Sequence, residues 1–312
     1  MSPLHAWRDG IRRVASAPLL LIGVWVMTTL VSLPLTLAMR TEIASHLGNS
    51  LAADAAARGM NYEWMQEFAG QATGLGTTFR PTIVGFAAVL DNLSAYMDNV
   101  RRPAAIAGAS GAYALLWVLC SGGIIDRYAH GRAARGTGFV SSCGRFFFRF
   151  LRLAVVTLVV YGLLFGVLHP WMFNTVYPRL VRGVDLERTA FMIRAGLYLI
   201  FGLLLAAANV VFDYAKVRVV VEDRRSVLVA LATSFRFIRG NPAAALGVYL
   251  LNVMLFALTL AAYAFIAPSA GGIGIMVWAG FVIGQAYIAG RLCVRLLFLA
   301  SETALFQRRL GY

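Results

Sequence analysis

The side chains that could do chemistry are few here, and their spacing assembles no reaction. Cys120, Cys143 and Cys293 lie far apart, as do His5, His46, His130 and His169, and no Cys or His pair has the short spacing of a zinc site. Neither a metal nor a disulfide framework is expected. His-Glu-x-x-His, Gly-x-Ser-x-Gly, a phosphate-cradling glycine loop and paired aspartates inside an apolar run are all absent. The chain therefore reads as a non-enzyme without a cofactor. Asn209, Asn252 and Gln285 are the carboxamides that fall inside apolar runs. Interhelical hydrogen bonding is their ordinary use, and a polar midplane lining a substrate path is the other.

Arginine is abundant: 28 basic residues stand against 14 acidic, and Lys216 is the only lysine. Two arginine pairs recur in register. Ile125-Asp126 leads to Phe148-Arg149-Phe150-Leu151-Arg152, and Phe212-Asp213 leads to Phe235-Arg236-Phe237-Ile238-Arg239. In both copies the arginines stand 23 and 26 residues after the aspartate. Trp7 to Arg13 echoes the end of this unit, and Arg291 with Arg295 echoes its beginning, so three repeated helical hairpins are expected.

Such pairs suit anionic lipid headgroups. Ser226 caps a helix whose Leu228, Leu231, Phe235 and Ile238 form one apolar stripe beside Arg236 and Arg239. Gly240-Asn241-Pro242 then stops it and restarts the chain, with Asn241 as the new cap. An interfacial amphipathic helix has this pattern, and Gly144–Arg152 repeats it with Phe146, Phe147 and Phe150. The plainer alternative is that both segments extend their neighbouring spans. Asp126 and Asp213 oppose the dipole of the helix ends they occupy, so each needs a cation. Arg127, Lys216, Arg218, Arg291 and Arg295 are the candidates for these structural ion pairs.

Six apolar runs free of charge carry these residues: 18–39, 103–125, 153–173, 195–212, 242–266 and 274–290. Each is long enough for a helix to cross a hydrocarbon core of roughly 30 Å. With 60% hydrophobic and 13% charged residues, a soluble globular domain is excluded. The expected fold is an all-α integral membrane protein of six transmembrane helices, a single membrane domain over 1–312. Segments 1–17, 126–152, 213–241 and 291–312 hold 19 basic and 6 acidic residues, while 40–102, 174–194 and 267–273 hold 9 and 8. Positive charge stays inside, so the first set and both termini are expected in the cytoplasm. That asymmetry accounts for nearly all of the net +14 without nucleic acid, for which no folded basic module exists. The first run is too long for a signal peptide and reads as an uncleaved helix.

Residues 40–102 form the one sizeable outer segment. It reads as a helix over Glu42–Arg58, a second capped by Asn61 and running through Phe68, and a third opened by Pro81. In the third, Ile83, Phe86, Ala87, Leu90, Leu93 and Met97 share a face, as a lid or a surface helix. With His169, Trp171, Tyr177 and Arg179, this segment is the expected place for a pocket. Gly162-x-x-x-Gly166 and Gly280-x-x-x-Gly284 read as close-approach patterns, and Pro34 as a kink.

The stretch Asp213-Tyr214-Ala215-Lys216-Val217-Arg218, then Glu222-Asp223-Arg224-Arg225-Ser226, then Phe235-Arg236 resembles a loop of bacterial six-helix inner-membrane proteins of unassigned activity. These include the membrane domain fused to some glycerophosphodiester phosphodiesterases. The resemblance implies the bacterial inner (plasma) membrane. It carries no hydrolase residue, because the chain holds no counterpart of the catalytic barrel. The expected function is a non-catalytic scaffold, regulatory or lipid-associated component whose partners are the bilayer, anionic inner-leaflet lipids and a membrane protein or second copy. A small transporter or permease subunit is the alternative.

Overall fold

A computed structural model describes residues 2–59, 61–80, 85–131, 136–267 and 274–311. The chain is 87% helical, with no strand among the described residues. In order come α1 (Pro3–Ala15), α2 (Pro18–Leu47), α3 (Ala53–Ala57), α4 (Tyr62–Gln71), α5 (Gly85–Met97), α6 (Ala104–His130), α7 (Gly136–Leu163), α8 (Tyr177–Leu180), α9 (Glu187–Val221), α10 (Val227–Gly240), α11 (Pro242–Ile266) and α12 (Ile275–Leu310). Two wider π-type segments, Leu164–Leu168 and Trp171–Val176, join α7 to α8. Pro81, Ile83, Arg132, Arg135 and residues 268–273 of the short outer loop lie outside the described residues.

Six helices are long and apolar enough to cross a membrane: Pro18–Leu47, Ala104–His130, Thr137–Leu180, Glu187–Val221, Pro242–Ile266 and Ile275–Leu310. The six apolar runs fall on them to within a residue, but five of the helices overrun. At 1.5 Å per residue the 36 residues of α12 reach about 54 Å, well beyond a bilayer core of about 30 Å. Much of the core lies in the overruns, and a further cluster of Met172, Leu197, Phe201 and Leu205 lies within the third and fourth runs. Within the most apolar windows only 6% to 33% of residues are buried inside the chain. By contrast Cys120–Asp126, Val217–Val220 and Leu299–Phe306 are buried on every face.

The chain divides into two compact units, one of Met1–Ala17, Trp117–Asn252 and Leu296–Tyr312, the other of Pro18–Leu116 and Val253–Arg295. The first gathers the arginine-rich segments. Its α1 buries Ala6, Gly10 and Val14 along one face. Arg13 donates to the Tyr128 carbonyl at 2.7 Å and to Gln307 at 2.7 Å, and Gln307 donates to the Ala129 carbonyl at 2.9 Å. Tyr214, Phe237 and Phe306 close the core with ring centroids 5.2 and 5.3 Å apart. Residues 296–310 are thus a central pillar of this unit, where a surface loop was expected. Gly144–Arg152 lies within the continuous α7, with Phe146 and Phe150 buried, so this segment extends its span.

In the second unit the helix expected over Glu42–Arg58 is divided. Gly48 and Asn49 end α2, and α3 begins only at Ala53. Asn61 does cap α4, accepting the Trp64 amide at 2.8 Å, and the helix runs on to Gln71. Trp64, Met65 and Phe68 form a small core against Ile43, Leu47 and Phe79. The Trp64 indole donates to His46 Nδ1 at 3.1 Å. No residue of α5 is buried, and Leu90 and Leu93 are exposed.

The glycine patterns are not where the chain makes its close approaches. A Cβ at Gly162, Gly166 or Gly284 would meet nothing within 4 Å. One at Gly10 would lie 2.8 Å from the Ser301 backbone, and one at Gly122 would lie 2.6 Å from Phe146 Cβ. Gly10→Ala should therefore unseat α1 and cost about 1–3 kcal/mol. Gly162→Ala and Gly166→Ala should be neutral or stabilising by up to about 1 kcal/mol. Thermal melting of the detergent-solubilised chain compares them.

Candidate functional site

Helix α10 begins where Ser226 accepts the Val229 amide at 3.5 Å. It ends where the Asn241 side chain donates to the Phe237 carbonyl at 3.2 Å, while the Asn241 carbonyl accepts the Ala245 amide at 3.0 Å at the start of the next helix. Val227, Ala230, Ser234 and Phe237 are buried. The small Ala230 and Ser234 let α10 lie close on α9. The stripe read from the sequence is divided: Leu228 is 69% and Phe235 58% exposed, while Leu231 and Ile238 are half-buried and pack against the core. Arg236 and Arg239 are exposed beside it. One edge of α10 thus presents two large apolar side chains and two guanidinium groups.

The other arginine pair is divided in role. Arg152 is exposed. Arg149 bonds Asp223 through its guanidinium and is only 17% exposed, and Arg145 donates to the same carboxylate at 2.8 Å. Asp223 holds a left-handed backbone, φ +50°, which aspartate tolerates. The hydrogen bond from Arg149, then that from Arg145, holds this carboxyl below the usual range against the opposing effect of burial.

The two repeat aspartates sit within continuing helices. Asp126 is bonded to His130 Nδ1 at 2.9 Å and accepts from Ser142 at 2.8 Å. Asp213 pairs with Lys216 at 2.7 Å. Arg295 donates to the Tyr113 hydroxyl at 3.2 Å and stacks on its ring, and Arg291 is exposed. Cys120 and Cys143, remote in sequence, meet as α6 packs on α7, and both are free thiols.

The three carboxamides each serve a different helix. Tyr161 donates to Asn209. Trp25 donates to Gln285 at 3.0 Å, beside an open groove of about 470 Å³ lined by Leu21, Ile22, Phe281 and Val282. Asn252 is fully buried: it accepts from the Trp7 indole at 3.0 Å and donates to Ser301 at 2.9 Å. Nor do the residues at the far end of α7 converge on a pocket. His169 is buried among Phe165, Phe173 and Phe201, Trp171 and Arg179 point outward, and the Tyr177 ring lies under Arg194.

The sequence reading passed over Glu302. It is fully buried on α12, and neither carboxyl oxygen has a hydrogen-bond partner among the described residues. The hydroxyls of Tyr214 and Ser234 are likewise buried without one. Asp213 and Lys216 are near enough to act on Glu302 electrostatically. A signal was present: Glu302 falls on the apolar stripe of Leu299, Leu305 and Phe306. Counted as one acid in an arginine-rich tail, it looked solvated.

No protein family, curated protein or solved structure matches the chain. Six helices long and apolar enough to span a membrane are the features of a multi-pass membrane protein.

Two expectations follow. Asn252→Leu strands the Trp7 and Ser301 groups and should cost about 1–3 kcal/mol, while Trp7→Phe costs about 0.5–1.5 kcal/mol; their double variant in chemical unfolding should be less than additive. Asp223 binds its proton more weakly folded than unfolded. Its contribution is therefore present above the ordinary aspartate value of about 3.9 and lost as pH falls through the folded value. Asp223→Asn should flatten that acid limb in a pH series of melting temperatures.

Proposed function

We propose that this chain is a non-catalytic, lipid-associated component of a bacterial inner membrane, with both termini and the arginine-rich segments in the cytoplasm. The observation that carries this is the edge of α10, where Leu228 and Phe235 are exposed beside Arg236 and Arg239. Exposed leucine and phenylalanine flanked by guanidinium groups fit the boundary between acyl chains and phosphates. On this reading α10 is an interfacial helix whose other face is anchored on α9. Arg152 adds to the headgroup contacts, and Arg149 holds Asp223.

Sidedness rests on charge, and the grouping of arginine-rich segments in one unit supports putting them on one side of the membrane. The resemblance of residues 213–236 to bacterial inner-membrane proteins supports the choice of membrane. The hairpin repeat rests on the matched spacing after Asp126 and Asp213. Its copies have diverged, one fused into α7 and the other free as α10. The transporter reading has no observation in its favour, since Asn209, Asn252 and Gln285 each bond a neighbouring helix.

Phe235→Trp in nanodiscs should be quenched by brominated phospholipid. Arg236→Gln with Arg239→Gln should lower retention of anionic over zwitterionic lipid by about 2 kcal/mol, roughly thirtyfold, at about 1 kcal/mol per arginine. Absent quenching together with unchanged retention would sink the lipid reading.

A further inference from the structure

Glu302 lies twelve residues past the end of the 274–290 apolar run, in the first compact unit. Its side chain has no exposure, and neither oxygen has a hydrogen-bond partner among the described residues. An ionised carboxylate in that position has lost its water and gained no donor, which is among the most costly arrangements a folded chain can hold. Lys216 is the cation near enough to act on Glu302, and it is already bonded to Asp213 at 2.7 Å. Charging Glu302 would therefore leave two carboxylates sharing one ammonium.

The other charged groups on the packed elements are engaged or exposed, apart from Arg127 of α6, whose Nε is buried without a hydrogen-bond partner among the described residues. On α1, Asp9 and Arg13 pair with each other, with Arg308 and with Gln307. On α6, Asp126 bonds His130 and Ser142. On α9, Arg218 pairs with Glu222 and stacks over Phe306 at 5.0 Å. Arg236 and Arg239 of α10 are exposed. Tyr214, close enough for Glu302 to act on it, has its hydroxyl buried without a hydrogen-bond partner among the described residues.

We infer that Glu302 is a proton-binding site: the buried unit is assembled around a carboxylic acid, which keeps its proton at neutral pH. Burial, with Asp213 adding to it and Lys216 opposing, raises this carboxyl well above the usual carboxylate range. Losing the proton puts a charge one helical turn from Phe306. That ring packs on Phe237, so proton occupancy is coupled to how α10 is held on α9. The inference stands independently of lipid contact by α10.

The sign of the pH effect follows from linkage. The unfolded chain releases this proton near about pH 4.3 and the folded chain keeps it, so stability falls as pH rises above that value. The test is melting of the full chain in detergent from about pH 5 to about pH 9, as wild type and as Glu302→Gln, which keeps the shape and cannot ionise. Wild type should lose stability with rising pH, and Glu302→Gln should be flatter and at least as stable at the alkaline end. A Glu302→Gln chain that melts below wild type with an unchanged pH slope overturns the inference, because the charged form would then have a partner. Infrared spectroscopy of wild type gives a second readout that needs no variant to fold. A carbonyl stretch of a protonated, buried carboxyl at neutral pH is expected, and its absence overturns the site. Repeating the melts in sodium and choline chloride separates a metal ion from a proton: stabilisation by sodium alone at high pH assigns the site to an alkali cation and overturns the proton reading.

Discussion

The structure depends on one constraint: the C-terminal half of α12 has no solvent-facing side from Leu299 to Phe306. A segment buried all round must be enclosed by other helices, and here α1, α9 and α10 enclose it. Gly10 seats α1 against Ser301, and Phe237 of α10 packs on Phe306. Asn252 of α11 reaches Ser301. The overrunning helix ends are therefore required by the enclosure.

The membrane-crossing parts work differently. Their side chains are mostly exposed within the chain, and hydrocarbon solvates them as well as another helix would. Hydrophobic burial therefore distinguishes little between packed and separated spans, and specificity comes from a few polar bonds such as Trp25 to Gln285 and Tyr161 to Asn209. The denser packing occurs where the helices run past their apolar windows, as at Val217–Val220 and Leu299–Phe306, which are buried on every face.

How much was legible from sequence follows the same division. Charge-free runs announced every spanning helix, because the cost of a mid-membrane charge leaves an unmistakable blank. The caps at Asn61 and Ser226 were legible, since a single side-chain oxygen satisfies local amides. Helix length was not: nothing local stops α9 at Phe212 or α12 at Gly290, and tertiary enclosure carried both onward. The stripe on α10 was found, but which face met protein depended on the small residues Ala230 and Ser234. Glu302 was hidden because a lone acid among arginines looks like an ordinary surface charge, and only enclosure shows it is dry. Gly48-Asn49 divided an alanine-rich segment whose composition alone read as one helix.

The wide turns at Leu164–Leu168 and Trp171–Val176 have their own effect on that third long helix. A π turn accommodates an additional residue per loop of backbone, so everything beyond it is rotated by roughly a quarter turn relative to an unbroken α-helix. Two such offsets within thirteen residues redirect the helix surface, and the His169 imidazole lies edge-on to Phe201. A helix built this way carries its phase as a count of residues. Removing one residue would leave its hydrophobicity nearly unchanged, yet would swing Tyr177 away from Arg194.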